Sequence, residues 1–291
     1  AIFVPWVRGF KIADNQSPRP QDRIFFSFNF FDDLNGSVNS RIGAAVSHMK
    51  VYRELFGIEK TFFDGNASIG LRVPVNTLTA DSTVRGLGGT NTSFGNLTAY
   101  AKVILWQDTS GRNLVSGGLS VTAPNGPTRF AGSPSAVGFH DAQIQPFVGY
   151  IFAGENWYIQ GFEAIDVPTD PHDVTLIYND IGIGYFLYRN RDPDAFISSI
   201  APTFETHVNV PVNHRGALRF NDPAGTADVV DLTYGLNVLL QRRALLTIGF
   251  INPVTGPKPF RYEWQLLLNW YYGRTRARAT QAAPIPPLGG T

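Results

Sequence analysis

The chain has no cysteine and only one methionine in 291 residues. A disulfide framework and a thiolate metal site are therefore excluded. Charge is scarce too: Asp, Glu, Lys and Arg make up 16% of the residues, where a soluble domain carries about a quarter. There is no run of about 18 apolar residues, so no transmembrane helix is encoded. Net charge is +1, which gives no support to a nucleic-acid-binding face. Intrinsic disorder needs few apolar and many charged residues, and the chain, 43% hydrophobic, has the reverse. The five histidines (48, 140, 172, 207, 214) show no ligand spacing, and no metal or cofactor is expected. Capped amphipathic helical stretches are nearly absent.

What is present is aromatics, glycine and alternation. Aromatic residues reach 13% and glycines number 29. Apolar residues recur at every second position, the signature of half-buried strands. Ile24, Phe26, Phe28 and Phe30 share one face, with Arg23, Ser27 and Asn29 on the other. The same pattern runs through 67–75, 95–106, 114–123, 142–152, 174–189, 200–210, 230–240 and 261–272. Segments 47–63 and 157–167 are less regular, and 244–252 is short and mostly apolar. In 47–63 the adjacent charges Arg53 and Glu54 predict a bulge or register break. The total is about twelve strands.

The connections alternate in length. Those near 33–46, 76–93, 124–141 and 211–229 are long, while those at 64–66, 110–112, 153–156 and 241–243 are short. Two depart from the rule: 168–173 is shorter and 190–199 longer than their counterparts. Outer-membrane barrels have this asymmetry, with long external loops and short periplasmic turns. Phe62, Phe63, Trp106, Tyr150, Phe152, Trp157, Trp270, Tyr271 and Tyr272 cluster by the short turns, as an interfacial aromatic girdle does. The expected fold is all-β: a transmembrane antiparallel up-and-down β-barrel of about twelve strands, both termini periplasmic. The opposite faces are mostly Ser, Thr, Gly, Asn and Gln, which suits a confined lumen better than an open surface. The expected location is the bacterial outer membrane, in contact with its lipid. A start at Ala1 is what signal-peptide removal would leave.

Residues 1–22 precede the first strand and form a possible lumen plug. In that reading Arg8 and Lys11 would meet inward acids such as Glu205 and Glu263; the alternative is a flexible extension. Residues 23–273 form the barrel. The tail 274–291 is basic and then Pro/Gly-rich, a linker or a partner-binding tail.

The stretches GFKIADNQSPRPQDRIFFSFNFF (9–31), ETHVNVPVNHRG (205–216) and INPVTGPKPFRYEWQLLLNWYYG (251–273) resemble planctomycete-type outer-membrane proteins of the phenol-degradation meta-pathway transporter family. The resemblance spans Gly9 to Gly273 and rests on pattern, not on a catalytic motif. It implies a single-domain barrel for uptake of small hydrophobic or aromatic molecules.

The inward face holds the candidate site. Lumen-lining candidates are Arg72, Tyr100, Lys102, Gln143, Gln145, Asp180, Glu205, His207, Asp231, Glu263 and Gln265. Acids on one wall facing bases on the other would order water and select polar solutes. Compensating pairs that hold the lumen shut are the alternative. Catalysis is not expected, because His207 points inward with no serine placed beside it. The expected function is a channel or transporter for small molecules, as a monomer or homo-oligomer. A plugged barrel that binds partner proteins through its tail or loops is the other reading.

Overall fold

The computed structural model describes residues 2–3, 15–41, 43–138, 140–213, 228–256 and 258–272. The tail 274–291 and the stretch with Arg8 and Lys11 lie outside them. Twelve antiparallel strands form one closed sheet. They are β1 (Arg23–Asp32), β2 (Val46–Phe62), β3 (Ala67–Ser82), β4 (Thr98–Gln107), β5 (Leu114–Thr122) and β6 (Gln143–Ala153). The second half holds β7 (Trp157–Pro168), β8 (Leu176–Tyr185), β9 (Ile197–Pro211), β10 (Val229–Leu240), β11 (Ala244–Pro253) and β12 (Tyr262–Tyr271). Each strand pairs with its neighbours in sequence, and β12 closes on β1, with Tyr271 opposite Arg23 and Tyr262 opposite Asp32. Closure leaves no sheet edge, so the backbone is satisfied without water, as a bilayer demands.

Alternation decides which face meets what. Ile24, Phe56, Ile69, Val103, Ile181, Phe204, Trp264 and Leu268 point outward and are exposed. Their in-between partners Ser27, Arg53, Ser68, Lys102, Asp180, Glu205 and Gln265 point inward and are buried. Large apolar groups on the outside of a closed sheet fit lipid and not water. At the short-turn end Phe63, Trp106, Trp157, Tyr185 and Trp270 are exposed on the outside, at the level of a girdle. Tyr271 is not one of them: the even spacing turns it inward, 2% exposed.

Glycines shape the inner wall. Phe25 lies opposite Gly57, Tyr100 opposite Gly70, Tyr158 opposite Gly184, and Phe162 opposite Gly149. A Cβ on these glycines would fall 2.1, 2.2, 2.3 and 2.7 Å from the facing ring. The missing side chains let inward aromatics lie flat across the neighbouring strand.

Two expectations change. The register break in β2 is not at Arg53 and Glu54 but between Ser47 and Lys50, where His48 takes φ 48°. Arg53 points inward and Glu54 outward in unbroken alternation. The stretch 76–93 is not one loop: β3 continues to Ser82 and the chain returns as a strand at Gly89–Phe94. Sixteen residues exceed the roughly 9–11 needed to cross a bilayer. The excess carries hydroxyl pairs, Thr77–Thr92 at 2.9 Å and Thr79–Thr90 at 3.0 Å, which suit water.

The short turns are locally determined. In 108–113, Asp108 accepts from the backbone N–H of Arg112 and Asn113, from Asn113 Nδ2 and from Ser110 Oγ. Slight burial acts to raise its pKa, but these hydrogen bonds outweigh it and hold the carboxyl below its ordinary value. A lowered carboxyl contributes stability above its ordinary value and loses it as pH falls through the lowered one. Asp108→Ala is expected to cost about 1 kcal/mol at neutral pH, as loss of a cap does. The deficit should vanish in acid, well below about pH 4. Urea midpoints of both proteins at the two pH values check this.

Candidate functional site

The lumen is filled from both ends. At the long-connection end, inward Phe31, Val51, Leu78 and Ile251 pack with Leu34, Met49 and Phe260. Ala131 and Ala136, from the β5–β6 connection, complete this cluster. Phe31 and Phe260 meet edge to face, centroids 5.4 Å apart. The mouth is thus capped by its own loops. The backbone of Ile2–Phe3 pairs in parallel with Ala136–Val137 at this same end.

From the short-turn end, residues 15–22 enter the barrel and are buried throughout. They are held by polar contacts with inward side chains. Asn15 Nδ2 donates to Ser27 Oγ at 3.3 Å, and Asn269 Nδ2 donates to Asn15 Oδ1 at 2.7 Å. Lys102 Nζ donates to the Ser17 carbonyl at 2.7 Å, and Arg19 to the Gly111 carbonyl at 2.5 Å. Asp22 accepts from Lys60 Nζ at 3.0 Å and from Thr61 N at 2.8 Å.

The centre of this network is Glu59 on β2, fully buried. Its carboxylate accepts from Arg23 Nε at 2.9 Å, Lys102 Nζ at 2.8 Å, Ser68 Oγ at 2.8 Å and Tyr100 Oη at 3.1 Å. The Gln21 N–H, from the entering segment, adds a contact at 3.0 Å. Arg23 also donates to Asn269 Oδ1 at 2.7 Å and stacks over Phe25, 4.5 Å from its centroid. One acid thus ties β1, β2, β3, β4 and the entering segment together. The sequence reading did not single out Glu59. The inward run Leu55, Gly57, Glu59, opposite Phe56 and Ile58, was the signal.

Glu59 also revises the two-wall picture of charge. The basic wall that carries Arg72 and Lys102 contains its own acid, so Lys102 is neutralised locally rather than across the lumen. Glu205 and Glu263 hold none of the contacts described for residues 15–22. Glu263 instead accepts from Asn29 Nδ2 at 2.6 Å, and Asn29 accepts from Arg53 at 3.3 Å.

On the opposite wall His207 bridges three strands. Its Nδ1 lies 2.7 Å from Asp180 Oδ1 on β8. Its Nε2 lies 3.0 Å from Thr233 Oγ1 on β10 and 3.4 Å from Glu205 Oε2 on β9. Asp231 is the register partner of His207. The hydroxyl beside His207 is a threonine, found by cross-strand register and not by sequence proximity. With the ring only 1% exposed, the cluster works as a clasp between β8, β9 and β10.

Two cavities among the described residues touch these side chains. The larger, about 130 Å³, lies under the β5–β6 connection and is lined by Arg53, Arg72, Gln143 and Gln145 among others. The smaller, about 60 Å³, lies between residues 15–21 and the β9–β12 wall, where Glu205, Thr233 and Gln265 line it. The candidate residues therefore fall into separate groups. Tyr100 and Lys102 belong to the Glu59 centre, and Asp180, Glu205, His207 and Asp231 to the clasp. Arg72, Gln143 and Gln145 belong to the large cavity, Gln265 to the small one, and Glu263 to the Arg53–Asn29 link.

No protein-family model and no curated protein matches the sequence. Solved structures do match the fold. An outer membrane channel from Pseudomonas putida F1 superimposes with a TM-score of 0.55 at 12% identity, covering 88% of this chain and 97% of that one. The β domain of the Bordetella autotransporter BrkA gives 0.50 at 11% identity, covering 87% and 100%. The NanC porin gives 0.48 at 9% identity, covering 86% and 99%. At such identities what the first two share with this chain is the fold alone, that of an outer-membrane barrel.

Proposed function

We propose that the chain is a narrow outer-membrane channel for small molecules, closed in this conformation by residues 15–22 and by the loops at the opposite mouth. The observation that carries this reading is the inner wall. It places Arg53, Arg72, Gln143, Gln145, Glu205 and Gln265 around internal cavities, inside a sheet whose outer face is apolar. A barrel serving only as an anchor has no need of a polar, cavity-bearing interior. Twelve strands lie between the filled eight-stranded barrel and the aqueous sixteen-stranded one, which fits a narrow route. The likeness to a solved outer membrane channel supports the same reading. Kinship with the phenol-degradation meta-pathway transporters and uptake of hydrophobic or aromatic solutes are part of this proposal.

A second reading has its own support: the hydrogen-bonded entry of residues 15–22 favours a closed barrel that anchors partner proteins. Bilayer recordings separate the two. The purified full chain, shown to be folded by heat-modifiable migration in detergent, should give discrete conductance steps in a planar bilayer. A folded protein that stays silent at every voltage would exclude the channel and favour the anchor.

A further inference from the structure

The outer face of the barrel carries a polar pair where lipid offers nothing to bond. Glu163 on β7 and Asn179 on β8 are direct register partners. Parity turns both outward. Their strand neighbours Phe162, Ala164, Tyr178 and Asp180 are buried, while Ile165, Ile177 and Ile181 around them are exposed. Glu163 itself is exposed and lies six residues beyond the girdle residue Trp157. At about 3.3 Å per residue and a tilt of roughly 40°, that is about 15 Å into an apolar band about 25 Å tall. The pair thus sits near the middle of the bilayer, where a charged side chain on the lipid face is destabilising.

Neither side chain has a hydrogen-bond partner among the described residues, although the two stand side by side. Another outward carboxylate, Glu54 on β2, has no such donor beside it, because its register partners are Phe28 and Val75. Counted from Phe62 it stands about 20 Å from the girdle, toward the far edge of the band. The deep carboxyl is the one that carries an amide next to it.

A donor and an acceptor side by side make a surface self-complementary, as an isologous interface requires. Copies of a barrel insert with one orientation, so an axis relating two of them runs along the membrane normal. A half-turn about such an axis, placed beside β7 and β8, exchanges left and right and keeps depth. Register partners on tilted strands differ in depth by only about 3 Å. We propose that this face pairs two copies of the chain, with Glu163 of each accepting from Asn179 Nδ2 of the other. An amide N–H₂ donates to a carboxyl group whether that group is ionised or protonated, so the match holds in either state. The next register row, Ile165 and Ile177, packs against the same row of the second copy and shields the polar pairs from lipid.

The chain has no cysteine, so a single introduced thiol reports one position. Ile165→Cys places it beside the pair, and Leu266→Cys on β12 places it on the other side of the barrel. Each full-length variant is folded into phosphatidylcholine vesicles at a low protein-to-lipid ratio and oxidised with copper phenanthroline. Covalent dimers are read on a non-reducing gel. Ile165→Cys should dimerise several-fold more than Leu266→Cys. Adding Glu163→Leu to Ile165→Cys should cut that yield several-fold while the barrel keeps its heat-modifiable migration, and Asn179→Leu should do the same. Lipid as the only occupant of this face predicts monomers, or equal yields at both positions. A different protein as occupant predicts a mixed product in whole outer membranes and no self-pairing. Either result overturns the proposal, as do dimers that persist unchanged once Glu163 or Asn179 is replaced. The readout needs no conduction, so a silent bilayer would reject the channel and leave the pairing standing.

Discussion

Glu59→Ala is expected to cost the barrel about 3–5 kcal/mol, the largest stability loss of any single substitution proposed for this protein. The size follows from what remains after the change. Arg23 and Lys102 are 2% exposed, and both lean on this one carboxylate. Removing it leaves two buried cations facing each other, and it also leaves Ser68 Oγ, Tyr100 Oη and the Gln21 N–H without their acceptor. Unpaired buried charge is far costlier than a missing neutral hydrogen bond. Glu59→Gln keeps the shape and one acceptor oxygen but turns an amide N–H₂ toward a cation, so its cost should fall between wild type and alanine. Lys102→Met with Glu59→Ala should recover part of the loss, because one of the two stranded charges is gone. Urea unfolding in lipid vesicles, followed by tryptophan fluorescence, reads all four proteins. Equal midpoints for wild type and Glu59→Ala would show that the centre is solvated and contributes little.

Much of this barrel is legible in the sequence because lipid enforces a strict rule. The outward positions of a strand must be apolar, so Ile24, Phe26, Phe28 and Phe30 announce β1, and Tyr262, Trp264, Leu266 and Leu268 announce β12. The inward partners then follow by parity: all eleven residues singled out for the inner face are buried, from His207 at 1% to Gln143 and Glu263 at 7%. What parity does not give is who meets whom across the sheet. Asp180, His207 and Thr233 come together because β8, β9 and β10 are in register, and register is set by turns and bulges. Glu59 escaped notice for a related reason. The true irregularity in β2 is at His48, where the strand lies beyond the lipid belt, whereas the charge pair Arg53–Glu54 drew the break into the middle and hid the inward run behind it. The extension of β3 to Ser82 was hidden by composition. Outside the lipid both faces of a hairpin can be polar, so Thr77, Thr79, Thr90 and Thr92 look like a loop although they pair as strands. Residues 15–22 carry no periodicity at all, since they are held by single hydrogen bonds from the wall and not by burial of one face.

Deleting residues 1–21 should raise the unitary conductance several-fold over that of the full chain. Residues 15–21 enter the lumen from the short-turn end, and every residue from Asn15 to Asp22 is buried there. A twelve-stranded sheet is wide enough to hold water once that filling is gone. Deletion should open the barrel and not unfold it, because most wall groups that lose a partner regain one from entering water. Asn269, Ser27 and the Gly111 carbonyl need only a hydrogen-bond partner. Glu59 keeps Arg23, Lys102, Ser68 and Tyr100 after the Gln21 N–H leaves. Asp22 must be retained, since it holds Lys60 and Thr61 at the turn between β2 and β3. The loop cluster around Phe31, Met49 and Phe260 still narrows the far mouth, which is why the expected gain is several-fold and not the full conductance of an empty barrel. Bilayer recordings of the truncated and full-length proteins, both verified by heat-modifiable migration, give the comparison. A truncated barrel with unchanged steps would mean that the conducting route avoids residues 15–22. Steps that grow only after the β5–β6 connection is also shortened would move the gate to the long-connection mouth.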